Sequence, residues 1–194
     1  MKNIKTYLLY GATGGACYLF GRLFLFKIDA EYTSLPDWLF RIVMVVFVSL
    51  VITHQKRKNN GLINVKEGII AGSFTTLFLA LSLSAATWVH CQWVNPNYIE
   101  GYKTAYRDLH YPRMIGKYVK DHAKENATQA ERDELAIEAK PIVEQGLAKN
   151  MKENVAFLFT TMGQVIVTLL YSFFWGLAIT FTVAMLSRKV LETK

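Results

Sequence analysis

The chain has 194 residues, a formal net charge of +7 and 52% hydrophobic residues, the size of one ordinary domain. Its apolar residues fall in four blocks, 6–26, 38–53, 68–94 and 156–186, in which Arg22 and Arg41 are the only charged side chains. A soluble fold would have too little polar surface to cover four such blocks, and basic residues scattered at block ends rather than grouped in a patch argue against a nucleic-acid partner.

Four transmembrane helices are therefore predicted, at about 6–26, 37–54, 68–94 and 156–186, because backbone in lipid must satisfy its own hydrogen bonds. The first begins after MKNIK and contains GGAC (14–17), which faintly resembles a lipoprotein cleavage box. Gly14 stands where that box needs a large aliphatic residue, and the apolar run continues through YLFGRLFLF (18–26), so a retained span is expected. Gly11 and Gly15 lie four apart with Ala12 and Ala16 beside them. This small-xxx-small spacing allows close helix approach, either to the small-residue strip LSLSAAT (81–87) of the third span or to a second copy of the chain. Internal packing is the preferred reading, with homo-oligomerisation as its competitor. The second span, LFRIVMVVFVSLVIT (39–53), reaches membrane length only if it starts at Pro36 to Trp38 and Arg41 snorkels outward. The fourth block, at about thirty apolar or mildly polar residues, outruns a hydrocarbon core of roughly 30 Å. It must either tilt strongly or project its first turns outside to pack on the preceding loop.

Orientation follows the positive charges. Lys2 and Lys5, then Lys56, Arg57, Lys58 and Lys66, then Arg188, Lys189 and Lys194 collect on one side. The opposite connection KIDAEYTSLPD offers Lys27 against Asp29, Glu31 and Asp37. Both termini are expected in the cytoplasm of a bacterium, in its inner membrane.

Residues 95–155 form one long charge-balanced loop with ten basic and ten acidic side chains, predicted as a helical periplasmic hairpin between helices 3 and 4. Asn95 and Pro96 suit a helix start directly after the membrane exit. Tyr98, Tyr102, Tyr106 and Leu109 fall on one face and make a candidate partner surface. Thr128 and Glu131 have capping-box spacing. Leu135, Ile142, Leu147, Met151 and Val155 then mark a second amphipathic helix, with a kink expected at Pro141.

His90, Cys91 and Glu100 fall too few and too scattered for a metal site, and Trp88 and Trp93 place His90 at headgroup depth. His54 and His90 sit at opposite ends of the spans, so they cannot ligate one haem. Cys17 and Cys91 lie in apolar spans away from any CxxC pattern. No cofactor is implied. Arg22 and Arg41, at the outer ends of neighbouring spans, and His90 near the same level, are candidate contacts for an anion or lipid headgroup. The simpler reading is that the arginines snorkel or pair with Glu31, Asp37 or Glu100. Acidic residues are missing from all four spans, there is no internal repeat, and no GxSxG, HExxH, phosphate-loop or paired-carboxylate motif appears, so no enzymatic activity is expected.

With these elements in place, the whole chain resembles a family of small four-span membrane proteins found mainly in Bacteroidetes-type bacteria and catalogued only as a domain of unknown function. The resemblance rests on the glycine-rich YGATGGACYLFG, the basic turn followed by INVKEGIIAGSFTTL, the exit WVNPNYIEGY, the charged helical loop, and a fourth span closing in SRK. It implies a polytopic inner-membrane protein and supplies no activity, cofactor or catalytic residue. The function expected is that of an accessory or scaffolding subunit that binds another membrane or envelope protein through the 95–155 loop. The competing class is a small transporter or channel for an anionic or lipidic substrate.

Overall fold

The computed structural model describes residues 4–61 and 63–187. Lys2, Arg188, Lys189 and Lys194, four of the nine positive charges that set the expected orientation, lie outside the described residues. Six α-helices carry the chain: α1 (Ile4–Lys27), α2 (Leu35–Lys58), α3 (Val65–Val89), α4 (Tyr98–His122), α5 (Gln129–Glu153) and α6 (Thr161–Ser187). A π-helical turn (His90–Val94) extends α3, and a 3₁₀ turn (Ala156–Phe159) precedes α6. They form two compact units, residues 1–96 with 161–194, and residues 97–160.

In the larger unit α3 packs on α1, α2 and α6. Glycines set the distances. A β-carbon on Gly11 would stand 2.5 Å from Cβ of Phe78 and 2.8 Å from its carbonyl carbon, so α1 lies directly on the α3 backbone. Gly15 meets Ser82 four residues further along each helix, which makes the pair parallel. On the other side of α3, Gly68 faces Ala184, Gly72 faces Thr180 and Thr76 faces Gly176, an antiparallel seam. The hydroxyls of Thr76 and Thr180 bridge it at 3.3 Å. Helix α2 closes the bundle with Met44, Val48, Val51 and Ile52 fully buried, and Lys56 donates to the carbonyl of Ser187 at 3.0 Å, tying the ends of α2 and α6.

Among the described residues three helices are long and apolar enough to cross a membrane, Leu35–Lys58, Val65–Val94 and Thr161–Ser187, where four were expected. α1 has the length and falls short on composition. Gly11, Gly14, Gly15 and Gly21, Tyr7, Tyr10 and Tyr18, and the charged Arg22 dilute its aliphatic content. The same glycines that let α1 approach α3 remove apolar mass from it.

Both helix-to-helix turns on α2 use a left-handed residue. The Ala30 N–H reaches back to the Leu25 carbonyl at 2.9 Å, and Asp29 between them has φ 52°. At the other end Gly61 reaches back to Lys56 at 2.9 Å across Asn60, φ 53°. These are helix-ending Schellman turns, with Asp and Asn, the side chains most tolerant of that conformation after glycine, at the strained position. Asn64 then opens α3 through a reciprocal capping box with Glu67.

The smaller unit is a helical hairpin. α4 and α5 pack on one another through Ala139, Val143 and Leu147, and Arg107 of α4 forms an ion pair with Glu144 of α5. Pro112 and Pro141 lie inside helices that continue through them. The 156–186 block is divided rather than tilted as one piece: Ala156–Phe159 belongs to the hairpin unit, and the long helix begins at Thr161. The capping box at α5 forms as its spacing indicates, Thr128 N–H donating to Glu131 at 2.7 Å and Glu131 N–H to the Thr128 hydroxyl at 3.3 Å.

Two predictions follow from these contacts. Gly11→Ala forces the α3 backbone to shift and should cost about 2 kcal/mol in reversible unfolding in detergent. Gly116→Ala, where an added β-carbon meets nothing within 4 Å, should stabilise α4 slightly. The Thr128 backbone N–H, then its hydroxyl, hold the Glu131 carboxylate below the usual glutamate range. The cap therefore supports the first turn of α5 fully above a pH of about 4.3 and loses that support as pH falls through the lower folded value. Amide-exchange protection factors at residues 129–132 should decline over that acid range, and Thr128→Ala should remove the pH dependence and lower protection a few-fold at neutral pH.

Candidate functional site: a buried polar cluster at one end of the bundle

The larger unit places its charged chemistry at the end of α1 and α3. Arg22 on the last turns of α1 is 6% exposed, Glu31 on the α1–α2 connection 6%, and His90 at the end of α3 fully buried. Nε2 of His90 lies 2.9 Å from Oε2 of Glu31. With Glu31 ionised, Nε2 carries the proton and donates. The Asn95 amide donates to the other carboxylate oxygen of Glu31 and, at 3.4 Å, to the hydroxyl of Tyr32. Arg22 is near enough for its charge to act on both His90 and Cys91. Phe26 closes one side, its ring edge-on to His90 at 6.3 Å between centroids.

Local backbone explains why these residues converge. The left-handed turn at Asp29 reverses the chain after α1, so Glu31 enters the bundle instead of facing outward. The π-helical turn does the same for α3: Asn95 N–H bonds to the His90 carbonyl, five residues back, at 2.8 Å. One extra residue in that turn rotates His90 inward while Trp93 stays 72% exposed. A carboxylate taken out of water is tolerated only with hydrogen bonds and opposite charge beside it, and here it has both.

Several expectations change accordingly. His90 is buried in the bundle and not at headgroup depth, although Trp88 and Trp93 are exposed beside it and stack on each other. Asn95 does not cap the next helix. Its side chain serves Glu31, and α4 starts at Tyr98 with no side-chain cap from Asn97. Glu31 was legible only as one of three partners for the arginines, because nothing in KIDAEYTSLPD announces an inward turn. Of the candidate anion contacts, the structure brings Arg22 and His90 together. Arg41 stands apart on an exposed face of α2, its guanidinium over the rings of Trp38 and Trp175 at 5.5 and 5.8 Å.

The tyrosine face of α4 is turned toward its own unit. Tyr98 is buried and stacks on Tyr102 at 6.1 Å, and Tyr102 and Tyr106 contact Phe159 of the 3₁₀ turn at 6.0 and 5.4 Å. Leu109, at the end of that face, is exposed, as are Ile137 and Ile142 of α5. His54 packs edge-on against Tyr10 at the opposite end of the bundle from His90. Among the described residues no three His, Cys, Asp or Glu side chains are grouped to hold a metal ion.

Glu31→Ala should cost about 3 kcal/mol in detergent unfolding, since it strands His90 and Arg22 without their acceptor. Glu31→Gln should cost less, because the amide still accepts one hydrogen bond. Limited proteolysis should show the 28–34 connection opening in both, faster in the alanine variant.

No curated protein and no solved structure matches the chain. A family model described as protein of unknown function (DUF4199) matches residues 8–189, nearly the whole chain. The protein thus belongs to that family of all-helical proteins with apolar, membrane-length helices.

Proposed function

We propose that the protein is a multi-pass accessory subunit of the bacterial inner membrane that holds another membrane or envelope protein through its helical hairpin. In this reading α1 is a fourth span. Leu8, Leu9, Phe20 and Phe24 are exposed on it, a face that lipid would cover, while its glycines serve α3. The basic residues of the α2–α3 connection, Lys56, Arg57, Lys58 and Lys66, face the cytoplasm with both termini, and the acidic α1–α2 connection and the hairpin face the periplasm.

The observation that carries the proposal is the division of the chain. The bundle is closed by its own side chains, whereas residues 97–160 form a separately packed hairpin. Its ten acidic and ten basic side chains within 95–155 suit an aqueous surface, and Leu109, Ile137 and Ile142 stand exposed on it. A helical pair with apolar side chains among balanced charges is suited to protein recognition.

A second reading has one observation in its favour. The buried Glu31, His90 and Arg22 cluster puts titratable and charged groups inside a membrane bundle, where such groups often mark a substrate or ion path. Under that reading the protein is a small transporter or channel for an anionic or lipidic substrate.

The two are separated by purifying the tagged protein from its native membrane in mild detergent and identifying co-purifying chains, beside a variant with residues 100–150 replaced by a flexible linker. The accessory reading expects a stoichiometric partner that disappears with the hairpin. A lone monomer or homo-oligomer in both preparations would overturn it. Substrate flux in proteoliposomes that is lost on Arg22→Ala or Arg41→Ala would establish the transport reading.

A further inference from the structure

We infer that Arg41, clasped between Trp38 and Trp175, is a binding site for the phosphate of an anionic lipid headgroup. Trp38 and Arg41 stand one turn apart on α2, and Trp175 comes from α6, so two helices build the site. Tyr171, edge-on to Trp175 at 6.1 Å, adds a hydroxyl-bearing ring to the same exposed face.

Three observations point to this ligand. First, the guanidinium is held by ring faces, which leaves its N–H edge pointing away from protein. Arg41 makes no hydrogen bond or ion pair with any described residue, and Asp37, one turn earlier, is outside ion-pair distance. A stacked guanidinium with an open edge is the geometry that takes a phosphate by two parallel N–H···O bonds. Second, the rings and Arg41 are all exposed, on helices of membrane-spanning length, so what they meet is lipid.

Third, the depth is wrong for water alone. Arg41 lies fifteen residues before Lys56, about 22 Å along the helix, whereas the hydrocarbon core is roughly 30 Å thick. With Lys56 at one interface, the Arg41 backbone sits inside the other. Its side chain must reach outward to the headgroup layer, and an unpaired cation held there by two tryptophans is costly. The anion available at that level is lipid phosphate. Net-anionic lipids are preferred to zwitterionic ones because no headgroup cation offsets the attraction.

The test uses the full chain with Trp88→Phe and Trp93→Phe, which leaves Trp38 and Trp175 as its tryptophans. It is reconstituted in vesicles of phosphatidylcholine and phosphatidylglycerol at three to one, with bromine on the acyl chains of one lipid or the other at equal mole fraction. Bromine on the phosphatidylglycerol should quench with an apparent preference of about fivefold. Arg41→Gln should abolish the preference, and Arg41→Lys, which keeps charge but loses the planar fork, should retain part of it. Equal quenching by the two lipids, or a preference that survives Arg41→Gln in a protein with unchanged helix content, would overturn the inference. Loss of the preference on adding millimolar inorganic phosphate would also overturn it, by showing that the site takes a soluble anion.

Discussion

How closely α3 can be approached from two sides governs the rest of this bundle. In lipid the apolar surfaces of two helices gain little from meeting, since acyl chains are as apolar as leucine, and association depends on packing and on interhelical hydrogen bonds. Gly11 and Gly15 bring α1 onto the α3 backbone, while Gly72, Gly176 and the Thr76–Thr180 bridge bring α6 onto the opposite side. α2 then fills the remaining groove with Met44, Val48 and Ile52, side chains that touch all three neighbours' level only because those neighbours are already close. Bulk sits where the helices diverge and small residues sit where they converge.

The polar cluster depends on that frame. Arg22 and His90 share an end of the bundle because α1 and α3 are parallel, a consequence of the Gly11 and Gly15 contacts. Parallel neighbours must be joined through an intervening helix, and the turn that starts α2 is the segment that delivers Glu31. A buried carboxylate, an imidazole and a guanidinium thus come from three elements whose arrangement the apolar packing sets. Arg41, on the helix between them in sequence, faces the other way, so one chain uses one buried and one stacked arginine at the same end of its helices.

Much of this was readable from residue types. Long apolar runs, the Gly11/Gly15 spacing and the Thr128/Glu131 cap each act over one or two turns, and each appears in the structure as an element boundary or a contact. What was not readable arises where backbone departs from the regular helix. The π-helical turn at 90–94 inserts one residue of rotation with no glycine or proline inside it. It alone decides whether His90 faces bundle or headgroup. Asp29 adopts a left-handed conformation that aspartate permits but does not announce. The break at Thr160 falls within a run of apolar residues, where hydropathy is continuous and only packing against Tyr102 and Tyr106 marks the division.

The source of Glu31 has a consequence for assembly. During synthesis α1 and α2 emerge before His90 and Asn95 exist, so the first helical pair carries Arg22 and Glu31 without the groups that later enclose them. Both charges can stay hydrated at the membrane edge until α3 arrives. Completion of α3, including its widened last turn, is the event that draws the connecting segment inward and seals it. The cluster works as a latch that closes once, in chain order, and the N-terminal half is held in its final place by a residue about sixty positions downstream of the turn it secures.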